Sequence, residues 1–207
     1  MFDILQAVSW SITYLLVIWY GCREKTTAIP PIAVASNFAW ETVALLRDFS
    51  EHLSLSNSGT VIHIAWFSLD LLIVLVYLLV CNPVYFSKWV FACIYVCEAV
   101  LMFVLFRSVK KGMLLSSFSI DILMAANWFF YELNKRPKTN FQLKCIAVSK
   151  LLGDLFAWLF YRRSHFLINI IGICVLILNA GFLFLVFIPD RKEKGKSVKK
   201  HPRQLRG

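Results

Sequence analysis

Seven apolar runs, each long enough or nearly long enough to cross a bilayer as a helix, occupy most of this chain. They are Ile4–Tyr20, Ile32–Leu46, Val61–Val80, Ser87–Phe106, Met113–Leu133, Phe141–Tyr161 and Phe166–Ile188. Hydrocarbon offers backbone N–H and C=O groups no partner, so a spanning segment must be helical or belong to a closed barrel. These runs are continuous and lack the alternation of barrel strands, which selects the helix. At roughly 20 residues per span, seven spans leave only short loops and a basic end segment of the 207 residues. Composition agrees: 59% of residues are hydrophobic and 16% charged, against about 45–50% and about 25% in soluble domains. A water-soluble enzyme is thereby excluded. We expect an all-α fold, a seven-transmembrane-helix bundle over residues 1–189, with a basic, disordered cytoplasmic tail over 190–207.

The first run follows Met1-Phe2-Asp3, without a basic leader or small-residue cleavage site, and reads as a retained span. Pro30-Pro31 supplies a helix start for the second, while Asn82-Pro83 and Arg136-Pro137 mark turns between later ones. No internal repeat suggests the inverted layout of many transporters. Arg23, Lys25, Lys88, Lys135, Arg136, Lys138 and the tail residues Arg191, Lys192, Lys194, Lys196, Lys199, Lys200, Arg203 and Arg206 fall on one side of such a bundle. Arg47, Arg107, Lys110, Lys111, Arg162 and Arg163 fall on the other. The excess of positive charge puts the C-terminus in the cytoplasm and the N-terminus outside. The net charge of +10 then serves topology and attraction to anionic membrane lipids, roughly 1 kcal/mol per basic residue at the surface. Nucleic acid is not an expected partner, because no aromatics for base stacking interleave the tail. All six cysteines read as reduced, packed thiols. Cys93 and Cys97 lack the C-x-x-C spacing, and the four histidines form no metal-ligand pattern. No targeting signal distinguishes the endoplasmic reticulum from a bacterial inner membrane.

The informative charges are the acids. Glu41, Asp70, Glu98, Asp121 and Asp154 fall within the runs, and an ionised acid at a helix centre costs about 3 kcal/mol on insertion scales. A chain that keeps them faces them inward, protonates them or pairs them. Lys144 and Lys150 are the intraspan cations, and Lys150 and Asp154 share one helix face at i, i+4. For that pair, a structural ion pair and a functional one are both open. Aromatics share the acids' stripes: His63, Trp66 and Asp70; Asp121, Ala125 and Trp128; Lys150, Asp154 and Trp158; Asn37 and Glu41 with Trp40 adjacent. An acid beside large π-faces suits chemistry that creates a cation, since the acid supplies a proton and the rings stabilise the charge without capturing it. The same stripes also fit polar contacts between packed helices, or a proton or solute path.

Trp10-Ser11-Ile12-Thr13-Tyr14 in the first run, followed after a short basic loop by Ser36-Asn37-Phe38-Ala39-Trp40-Glu41 in the second, resembles the W-x-I-N-Y … N-x-A-W-E signature of the integral membrane terpene cyclases. Order and spacing agree over about the first 45 residues; beyond them the likeness is one of size, span number and pattern, including Leu152-Gly153. The resemblance implies a metal-independent, cofactor-free cyclase that protonates an epoxide or olefin of a polyprenyl or prenylated aromatic substrate. Glu41 inherits the role of proton donor. A second family acid lies in the last span, where this chain has Asn179, so Asp154, Asp121 or Asp70 is left to supply that carboxylate. Asn37, Trp40, Trp66, Trp10, Tyr14, Trp128, Trp158 and Asn179 are the expected lining of the substrate cavity, with Asn37 orienting Glu41. The expected partners are a lipophilic terpenoid, membrane lipids, and a membrane-associated prenyltransferase or epoxidase. The absence of a D-D-x-x-D cluster speaks against diphosphate ionisation, and no G-x-S-x-G elbow suggests a hydrolase. The rival class is a small transporter or proton-coupled carrier using the acids as a relay.

Overall fold

The computed structural model describes residues 2–26, 28–50, 58–81, 87–109, 111–135 and 141–188. The expected tail over 190–207 and the turn signals Asn82-Pro83 and Arg136-Pro137 lie outside the described residues. Seven helices and no strands are found among them: α1 Phe2–Glu24, α2 Pro31–Ser50, α3 Ser58–Leu79, α4 Lys88–Ser108, α5 Gly112–Lys135, α6 Phe141–Tyr161 and α7 Phe166–Phe187. Local chemistry sets several ends. Pro31 occupies the first position of α2, where its missing N–H costs nothing. The Ser87 side chain accepts from the Val90 amide and His165 from the Leu167 amide, capping α4 and α7. Past the end of α1, Lys25 takes the left-handed conformation (φ 52°) that commonly terminates helices.

The helices close into a circuit in which each packs on the next, in the order α1, α3, α2, α4, α5, α7, α6 and back to α1. A further contact between α2 and α5 braces the circuit internally and leaves α4 as an outer strut. Five helices, α1, α3, α4, α5 and α7, are long and apolar enough to cross a membrane. The other two, α2 and α6, each carry three charged residues, and they bury Asn37, Glu41, Lys150 and Asp154 against their neighbours. Outside, Leu15, Trp19, Leu72, Val96, Val100, Ile177 and Phe184 stand exposed. An apolar surface so extensive belongs in lipid and would drive aggregation in water. The protein is a helical membrane bundle.

All six cysteines are free thiols, but the expectation that all are packed needs correction. Cys22, Cys93 and Cys97 are exposed, the last two on the outer strut α4. Helices α1 and α6 approach closely at Gly153: a Cβ there would meet the Trp10 ring at 2.8 Å. That glycine lets the indole of Trp10 lie across α6, where it forms part of the interior described next.

Candidate functional site

Glu41, Asp70 and Asp154 are buried, while Asp121 on α5 and Glu98 on α4 are each half-buried. Glu41 is only 2% exposed, and its Oε2 has no hydrogen-bond partner. Asp70 and Asp121 lie within its electrostatic reach, and Asp121 in turn lies within reach of Asp154 and Lys150. These four carboxyl groups are carried by α3, α2, α5 and α6.

Two of these acids, Asp70 and Asp154, are held by an amide. The Asn37 Nδ2 donates to Asp70 Oδ2 at 2.6 Å and to the Tyr14 hydroxyl at 2.9 Å. This corrects the expectation that Asn37 orients Glu41: a shared helix face gives proximity, but the amide turns across the helix interface to α1 and α3. Lys150 Nζ donates to Asp154 Oδ2 at 2.6 Å, and the Asn179 amide donates to the same oxygen. Lys150 has no exposed surface. Its ammonium sits 4.9 Å from the ring centre of Trp10 and 5.5 Å from that of Trp128, a cation–π arrangement that replaces part of its lost hydration.

Glu41 and Asp121 line a small chamber of about 40 Å³ with Gln6, Trp10, Tyr14, Asn37, Trp40, Trp66, Ser117, Ile120 and Met124. That volume suits ordered water. Toward the end of the bundle where α1 begins, the chamber adjoins a vestibule of about 600 Å³ that shares Gln6, Trp40, Trp66 and Ser117 as walls. This larger space falls within the usual size range of small-molecule sites. Hydrogen bonds fix its tryptophans: Trp40 Nε1 donates to Ser116 Oγ at 3.0 Å and Trp66 Nε1 to Ser11 Oγ at 3.3 Å.

The expected lining is gathered only in part. Trp10, Tyr14, Asn37, Trp40 and Trp66 face the chamber. Trp128 is instead fully buried, stacked on Phe182 with its indole donating to the Ala28 carbonyl at 2.6 Å. Trp158 donates to Asn169 Oδ1 and packs in a separate apolar cluster with Phe118 and Ile168. Both keep the stripe predicted for them, but their rings fill helix interfaces. Sequence reasoning passed over Gln6, Ser117 and Met124, although Gln6 precedes Trp10 and Tyr14 at i, i+4, i+8, and Ser117 and Met124 flank Asp121 on its own face. Comparison with models of known families, with curated proteins and with solved structures finds no match to this chain.

Proposed function

We propose that the protein is a membrane-embedded terpene cyclase, which protonates an epoxide or olefin and closes a polyprenyl or prenylated aromatic substrate into rings. One observation carries the reading: Glu41, buried and with an unpartnered oxygen, lies beneath a vestibule of ligand size and is surrounded by Trp10, Tyr14, Trp40 and Trp66. In the proposed step Glu41 gives its proton to the epoxide oxygen. The C–O bond breaks as the nearest alkene's π-electrons form the first ring bond. The resulting cation passes along the polyene under the indole and phenol faces, and loss of a proton from carbon to a base ends the reaction. The proton count is unchanged, so the conversion is an isomerisation that calls for no cofactor. Rigid walls contribute by folding the chain before the charge forms.

Where the resemblance expects an acid in the last span, the Asn179 amide donates to Asp154 of α6, and neither residue is among those that line the chamber. Asp121, which lines the chamber with Glu41, is therefore the candidate for the closing base. Beyond the acids Val17, Ile73, Val74 and Tyr77 are buried and packed, and the cavity in that layer measures about 10 Å³; a reaction chamber closed at its base fits this packing, while a carrier would in addition need a second state open to the other face.

The test is to express the protein in a membrane host, supply epoxyprenylated aromatics, and compare wild type with Glu41→Gln. General acid catalysis is worth about 10²–10⁴-fold, and a loss of cyclised product of that order is expected. Undiminished product from the variant would remove Glu41 as the acid. An absence of product across a broad substrate panel would overturn the cyclase reading.

A further inference from the structure

We infer that the vestibule holds an acceptor site for the hydroxyl of an aromatic head group, a phenol, built on the Asp48–His63 pair. The isoprenoid tail of such a ligand rests on the cyclase reading; the preference for a ring that bears a hydroxyl stands on the cavity itself. Asp48 lies in the last turn of α2 and His63 near the start of α3, and His63 Nδ1 is 2.8 Å from Asp48 Oδ2. A carboxylate can only accept, so the hydrogen of this bond belongs to Nδ1. In the neutral ring Nε2 then carries the lone pair. The pairing with Asp48 is therefore what makes Nε2 an acceptor, and among the described residues none bonds it.

Aromatic walls surround that acceptor. His63 lines the vestibule with Trp40, Trp66, Phe160 and Tyr161. Its imidazole stands perpendicular to the Trp40 indole, with ring centres 5.9 Å apart. Walls of this kind favour an aromatic guest in edge-to-face or offset contact. The neighbouring polar groups are engaged elsewhere. The Trp40 and Trp66 indole N–H groups donate to Ser116 and Ser11, and the Lys111 ammonium donates to the Ser164 carbonyl beyond the end of α6. The Arg47 guanidinium rests against Met113 Sδ. Gln6 and Ser117 belong to the end of the vestibule that meets the acid chamber.

The register along α3 gives the guest a direction. His63 precedes Trp66 by one turn on the same face, and Trp66 is the wall that vestibule and chamber share. A guest whose ring meets His63 can lay its tail past Trp66 toward Glu41, with the hydroxyl at the mouth and the reacting terminus at the acid. A phenol O–H donates to Nε2. An ether oxygen in the same place has no hydrogen to give and sets lone pair against lone pair. An ion pair that served only to join α2 to α3 would not tell the two apart.

Binding can be read without turnover. The full chain in phosphatidylcholine nanodiscs is titrated with radiolabelled ortho-phytanylphenol, whose saturated isoprenoid tail cannot cyclise, and with its methyl ether. The phenol is expected to bind about fivefold tighter or more, the worth of one neutral hydrogen bond. His63→Phe should abolish that preference while still binding the ether, which shows the cavity intact. Asp48→Asn should abolish or reverse it, because an amide can donate to Nδ1 and turn Nε2 into a donor. Equal binding of phenol and ether by the wild type, or a preference that survives His63→Phe, overturns the proposal. Isotope-labelled histidine gives a second reading on the wild type, independent of how the variants fold. The phenol, and not the ether, should shift the His63 Nε2 resonance; a resonance unmoved by saturating phenol overturns the proposal. A failed phenol preference leaves the Glu41 experiment standing, and failed cyclisation leaves the binding result standing.

Discussion

At the scale of single residues, Lys150 presents the sharpest energetic problem. A wholly buried ammonium is tolerable only because Asp154 neutralises it and two indoles face it. Removing one partner strands the other charge, so Lys150→Met or Asp154→Leu alone should destabilise the protein by about 3–5 kcal/mol. The double variant should recover most of that loss, because both charges go together and their desolvation cost goes with them. Denaturant unfolding in detergent micelles measures the cycle; additive losses would show that the two residues do not act as a unit. The pair was legible from spacing, since i, i+4 on one helix fixes proximity. The partners of Asn37 were not, because a side chain's choice among neighbouring helices depends on packing that one helix's periodicity does not contain. For the same reason the stripes of Trp128 and Trp158 located their faces without revealing that other side chains already filled the space before them.

Among the elements, helix existence was readable and helix extent only partly so. Apolarity marks the hydrocarbon layer, while the i to i+4 hydrogen bonds of a helix continue past it. Thus α1 runs on to Glu24 and α2 to Ser50, each beyond the end of its apolar run, with Arg23, Arg47 and Asp48 carried in the final turns. The contact of α1 with α6 depends on a missing side chain. Gly153→Ala would drive a methyl group into the Trp10 ring, and relief requires the indole or the helix to move. Such overpacking typically costs 1–3 kcal/mol, and displacing Trp10 also alters a chamber wall. We expect a lower unfolding midpoint together with weaker binding of isoprenoid probes. A variant as stable as the wild type would mean that Trp10 yields freely.

For the molecule as a whole, the circuit of neighbours could not be read from the chain, because α1 packs on α6 and α3 and the circuit does not follow chain order. Orientation in the bilayer is a different matter, since it depends on loop charge. In the expected seven-span topology the basic residues outside the tail balance, Arg23, Lys25, Lys88, Lys135, Arg136 and Lys138 on one side against Arg47, Arg107, Lys110, Lys111, Arg162 and Arg163 on the other. Replacing the basic tail residues with Gln should therefore convert a single orientation into a mixture. Glycosylation tags at both ends report this, and one retained orientation would place the determinant in the loops. The interior shape has a further consequence, for kinetics. A space open at the mouth and packed beyond its acids makes entry and departure share one route. For the proposed cyclase, product still seated there would exclude the next molecule, so product should inhibit competitively, and its clearance from the chamber should set the slow step once ring closure is fast.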